Sequence, residues 1–182
     1  MAPVPEAKLE DSGAGLAPAS DGWFVVNVRD AVWLTSDTRG SVCPFESPEA
    51  WFRQLGVRVR VLRPGEPNAL YHSESQQEGF LVLAGECTLL VEGEERPLRT
   101  WDFFHCPAGT EHVFVGAGDA PCVILMVGVR TEDEQLRYPV SELAARYDAS
   151  AKEETSDPEQ AYVGWEEARL GRPSYWDSLP WA

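Results

Sequence analysis

Val57-Arg58-Val59-Arg60-Val61 alternates strictly between apolar and charged positions, the period of a half-buried strand, and predicts the valines inward. Arg58 and Arg60 then fall on the polar face as solvated or interface cations, with a clamp for an anionic substrate as the sharper alternative. Phe80 to Val91 reads as two strands, and Val91-Glu92-Gly93-Glu94-Glu95 supplies a glycine-bearing hairpin turn. Trp101 to Cys106 is a further strand. Pro107-Ala108-Gly109 turns the chain so that His112 returns on the next strand with Val113, Phe114 and Val115. Cys122 to Val129 is apolar on both parities, so it is expected to be covered on both faces, by the interior and by a second layer or another subunit. Trp23 to Trp33 concentrates aromatic and β-branched residues and suits one or two strands.

Helical signals are short. Ser47-Pro48-Glu49 followed by Ala50 to Leu55 and Gly56 has a cap, a proline at the first helical position and a closing glycine, predicting about two turns of helix. Val140, Leu143, Ala144 and Tyr147 recur at helical spacing, and Asp157-Pro158-Glu159 caps a helix whose apolar side is Ala161, Tyr162 and Trp165. Residues 1–21 lack periodicity and read as a disordered arm. Residues 22–130 read as the β domain with its N-terminal strand and short helix, and residues 131–182 as a helical and aromatic extension. The tail Tyr175 to Trp181 is too aromatic for a free linker and is expected to dock on its own chain or a neighbour.

Composition excludes more than it selects. The 182 residues suit one domain, and 30 acidic against 15 basic residues give a net charge of −15, which argues against nucleic acid as a partner. No run approaches membrane-spanning length and the start lacks a signal-peptide pattern, so no membrane association and a cytoplasmic location are expected. Cys43, Cys87, Cys106 and Cys122 have no C-x-x-C spacing and read as buried thiols, with metal ligation by Cys106 as the sharper alternative. His105 reads as a packed or surface histidine, against a supporting or catalytic role.

His72, Glu74 and Glu78 share one strand parity, and His112 on a second strand would complete four N/O donors for a first-row divalent metal. These residues, with Gly85, Pro107 and Gly109, resemble the two motifs of the cupin superfamily, G-x5-H-x-H-x3/4-E-x6-G and G-x5-P-x-G-x2-H-x3-N. Glu74 stands where the family has its second histidine. Gly65 sits one residue too early for the opening glycine, Trp101 replaces the glycine of the second motif, and Gly116 replaces its asparagine. The short stretch 86–100 between the motifs resembles compact bacterial-type cupins.

The resemblance covers about residues 55 to 130 and implies an all-β fold: a cupin-type conical jelly-roll β-barrel with short flanking α-helices and an extended C-terminal tail. It implies one divalent metal ion per chain at His72, Glu74, Glu78 and His112. Two carboxylates leave such a centre nearly neutral, favouring Mn, Fe or Zn, with Ni also within range. Three functions fit: a metal-dependent enzyme of dioxygenase, isomerase or lyase type acting on a small polar metabolite, a non-catalytic sensor or binding protein for a small molecule, and a structural-metal barrel. A homodimer is expected from the two-sided strand and the aromatic tail. No catalytic acid or base beyond the metal shell is evident in the sequence.

Overall fold

The computed structural model describes residues 2–181. It is an all-β protein with few helical turns. β1 (Leu9–Asp11) and β2 (Leu16–Pro18) form a small hairpin. β3 (Leu34–Thr35), β4 (Ser41–Cys43) and the long β5 (Leu55–Leu62) follow. Next come β6 (Ser73–Glu74), β7 (Glu78–Ala84), β8 (Glu86–Val91), β9 (Glu94–Arg99) and β10 (Phe103–Cys106). The remaining strands are β11 (His112–Ala117), β12 (Cys122–Val129), β13 (Leu136–Arg137) and β14 (Arg169–Leu170), with α1 (Glu142–Ala145) and α2 (Pro158–Ala161) between the last two.

The main sheet has seven strands in the order β10-β7-β12-β5-β4-β3-β14, and a second has the order β11-β8-β9. One core lies between them: Leu62, Phe80, Val82, Ile124 and Met126 from the large sheet meet Cys87, Leu89 and Phe114 from the small one. The β8–β9 turn is made by Glu92 and Gly93, both at positive φ (49° and 76°), the backbone a tight right-twisted hairpin requires.

A second core lies on the other face of the large sheet. Val59, Val61 and Val123 pack there with Trp33, Cys43 and Leu179. Trp33 is fully buried and stacks on Trp181 (5.4 Å between centroids) and edge-on to Trp176 (5.5 Å). The aromatic tail therefore docks on its own chain. That contact also removes the expected need for a partner subunit over β12, whose outer face is covered in cis.

Four local expectations change. Residues 2–21 are not a free arm: β1 and β2 pair, and Ala7 and Leu16 hydrogen-bond to the backbone of Trp23 and Asp30, long-range partners that composition does not register. Trp23 to Trp33 forms no strand, only isolated bridges at Trp23 and Ala31, because Asn27 turns the chain by accepting from Asp30 and Ala31. The segment after Ser47 is a single turn, in which Ser47 Oγ accepts from Glu49 and Ala50. Phe52 N–H then donates to Glu46 instead of continuing a helix, and a run this short cannot offset the cost of helix nucleation. Finally, the valine face of β5 packs in the second core, and its arginine face lines the cavity described below. Among the described residues no helix is long and apolar enough to cross a membrane.

Candidate metal centre

His72 and His112 meet through the backbone. Each N–H donates to the other's carbonyl, at 3.1 and 2.8 Å, although His72 lies just outside β6. The Pro107–Gly109 turn sets this register: Gly109 N–H donates to Glu74 O (2.7 Å) and Thr110 N–H to Pro107 O (3.2 Å). The ring centroids lie 4.9 Å apart. Glu78 enters from the start of β7, opposite Cys106 and Gly128.

His72, Glu78 and His112 each offer a ligand atom, all within 4.8 Å of one another. Glu74 is not part of that group of three; its Oε1 lies 3.5 Å from His72 Nε2. His72 Nδ1–H donates to Leu70 O (2.7 Å) and His112 Nδ1–H to Thr110 O (3.1 Å). A carbonyl only accepts, so both Nδ1 atoms carry the proton and both Nε2 atoms present a lone pair in the neutral ring. Yet Nε2 of His112 faces Glu78 Oε2 at 3.3 Å, as Nε2 of His72 faces Glu74. Glu78 Oε2 is buried without a hydrogen-bond partner. An imidazole lone pair facing a carboxylate calls for a cation or a proton between them, and the donor set fits a divalent metal.

The electrostatics of the metal-free site agree. Burial, and then the Glu74 carboxylate, push the Glu78 carboxyl up to about 8. Burial, and then His72, push His112 down to about 4. At His72 burial works the other way, but the hydrogen bond and charge of Glu74 outweigh it and the pKa is raised. Aromatic rings dry the surroundings: Phe80 lies 5.2 Å and Phe104 6.0 Å from the His112 ring, and Tyr138 stacks on His72 at 5.8 Å.

The expected alternatives resolve simply. Cys106 is buried with Sγ 3.5 Å from His112 Nδ1, behind the ring and away from the Nε2 side, and burial pushes its thiol up to about 12. His105 is exposed on the same side of β10 as Phe103. Two motif departures also acquire reasons. Trp101, in place of a motif glycine, sits at φ 75°, a left-handed backbone that glycine adopts without penalty. At Gly116, in place of the motif asparagine, a Cβ would lie 2.1 Å from Arg63 O.

The three ligand candidates line a cavity of about 780 Å³ together with Glu74, Glu134 and Tyr138. Glu134 was not singled out in the sequence, where it sits within an acidic run; in the structure it lies against Glu74, and burial followed by Glu74 raises its pKa.

The family model described as cupin domain matches residues 58–128, the segment holding both histidines and both glutamates of the site. Residues 58–128 form a cupin domain. Among solved structures, a Thermotoga maritima protein predicted to be an oxalate decarboxylase superposes with a TM-score of 0.51 at 20% identity, over 59% of this chain and 100% of its own. The polyketide cyclase RemF from Streptomyces resistomycificus gives 0.51 at 16% identity, over 59% of this cupin and 79% of RemF. Both are likenesses of fold. An Acidithiobacillus ferrooxidans protein proposed to be a sugar phosphate isomerase is 28% identical with a TM-score of 0.46, over 48% of this chain. The cupin spans 57% of that relative's length. No curated protein matches the chain.

Proposed function

We propose that this cupin is a metal-dependent enzyme acting on a small polar metabolite. In this reading the two sheets close as the conical jelly-roll barrel of the family, and His72, Glu78 and His112 hold one divalent ion with Glu74 as the fourth donor. The supporting observation is that ligand atoms of His72, Glu78 and His112 lie within 4.8 Å of one another, with Glu78 Oε2 buried and without a hydrogen-bond partner, at the wall of an open cavity. Such an ion supplies Lewis acidity toward a substrate oxygen. The protein's own residues orient and dry that point: Leu70 O and Thr110 O fix the imidazole tautomers, and Phe80, Phe104 and Tyr138 exclude water. Two carboxylates make the site oxygen-rich, which favours Mn, Fe or Zn over Cu.

A purely structural metal fits less well, because closed structural sites do not border a large cavity. Homodimerisation stays within the proposal, supported by exposed Trp101 and Phe103 at the β10 edge in place of β12. The test is metal analysis of the purified protein, followed by turnover of candidate metabolites with the metal restored and, separately, O2 uptake. Turnover that disappears with the metal supports an enzyme; a ligand that raises the melting temperature and is never consumed would make the protein a sensor.

A further inference from the structure

The chain has twice as many acidic as basic residues, and two of its half-buried arginines are answered by carboxylates. Arg130 makes a two-point pair with Glu46 (2.7 and 2.8 Å), and Arg63 pairs with Glu66. Arg60, half-buried on β5, breaks that pattern, and Arg58 on the same face is exposed. On β5 they stand opposite Met126 and Ile124 of β12, which in turn pair with Phe80 and Val82 of β7. All four neighbours belong to the core between the sheets. The two arginines therefore share the inner face with Glu78, which pairs with Gly128 one step along the same row.

Arg39 joins them at the cavity wall, its guanidinium over the rings of Tyr162 (5.7 Å) and Trp165 (5.0 Å). Among the described residues, none of Arg39, Arg58 and Arg60 forms an ion pair with a carboxylate. The Nε atoms of Arg39 and Arg60 are buried without any hydrogen-bond partner, and the guanidinium of Arg60 reaches only Arg39 O, at 3.3 Å. A desolvated guanidinium without a counter-charge is costly. Burial, and then Arg58, pull the Arg60 pKa down to about 10, so it is still a cation at neutral pH.

We propose that Arg39, Arg58 and Arg60 bind an oxyanion group, phosphate or carboxylate, of a small substrate whose other end reaches the His72, Glu78 and His112 site. The planar guanidinium fork matches two oxygens of either group, and the cavity of about 780 Å³ holds the arginines and the metal candidates on one wall system. The assignment rests on the reading of this cavity as a substrate site, and it narrows the substrate class to anionic metabolites.

The test is calorimetric titration with two probes, inorganic phosphate and malonate, on the metal-loaded protein, the chelator-stripped protein, and the Arg58→Met and Arg60→Met variants. At least one probe should bind the wild type, and the preferred one identifies the anion. Each variant should weaken it about 10- to 100-fold, the loss of a hydrogen bond to a charged group. The melting temperature of Arg60→Met should be equal or higher, because an uncompensated buried charge is removed. The chelator-stripped wild type should keep the preferred probe within about tenfold, one long-range charge interaction. Failure of both probes to bind a protein with a full equivalent of metal would overturn the anion site and leave the metal reading intact. Binding that vanishes on chelation but survives both substitutions would show an anion on the metal alone, and would also overturn it. Probe binding by a protein that takes up no metal would instead sustain the anion site and refute the metal.

Discussion

His72 and His112 are paired by two backbone hydrogen bonds and thereby hold their imidazoles 4.9 Å apart. The arrangement is fixed before any ion binds, because the Pro107–Gly109 turn is anchored to the Glu74 carbonyl and both Nδ1 protons are committed to carbonyls. Metal affinity should therefore respond to the protonation of Glu78 more than to rearrangement of the histidines.

That response has a definite sign. In the metal-free fold Glu78 titrates near 8, above its ordinary 4.5, so its contribution to stability is present below about pH 4.5 and is lost as pH rises to about 8. His112, lowered to about 4 from 6.5, contributes stability above its ordinary value that is lost as pH falls through about 4. Metal binding must displace the Glu78 proton, so affinity should rise about tenfold per pH unit between 6 and 8 and then level. Metal titrations in several buffers, with proton release measured, check this; an affinity independent of pH contradicts it.

Glu74 separates two roles. It lies 3.5 Å from His72 Nε2 yet outside the cluster of His72, Glu78 and His112. Glu74→Gln should weaken metal binding by about 10- to 100-fold while leaving one equivalent bound at saturation. Glu78→Gln should weaken it more. Competition against a chelating dye ranks the two, and equal affinity in Glu74→Gln and wild type would remove Glu74 from the centre.

Trp101 occupies a left-handed backbone with its ring 72% exposed. Trp101→Gly should stabilise the fold by about 0.5–1 kcal/mol, the steric cost of that conformation less the extra chain entropy of glycine. Urea unfolding measures it. A destabilised variant would mean that the indole makes contacts outweighing its backbone strain.

The opposite holds at Gly116. Restoring the asparagine of the family motif, Gly116→Asn, drives a Cβ into Arg63 O and should cost about 1–3 kcal/mol, as other overpacked positions do. Thermal melts of the variant show this directly.

The β domain was legible because its signals are local and periodic. Cys122 to Val129 and His112 to Val115 run as strands where alternation or apolar runs place them, and the Glu92-Gly93 turn announces itself by residue type. The grouping of His72, Glu78 and His112 was legible for a different reason, their motif spacing, while Glu74, expected with them, lies outside that group. What failed depended on pairings that no local periodicity announces. Nothing near Ser47 reveals that Glu46 will take the Phe52 N–H and the Arg130 guanidinium, and nothing near Leu9 reveals its hairpin with the 16–18 stretch. The alternation at Val57 to Val61 gave the strand but not its faces. With the valines under Trp33 and Leu179, the arginines turn toward the cavity, a choice made by residues outside the strand, Leu179 among them from the far end of the chain.

The central claim is a metal held by His72, Glu78 and His112, and metal content per chain after mild purification and dialysis, wild type against His112→Ala, tests it most directly. One equivalent of a divalent first-row metal in the wild type and a loss of most of it in His112→Ala is the expected result. A full equivalent retained by His112→Ala at unchanged affinity would contradict the account.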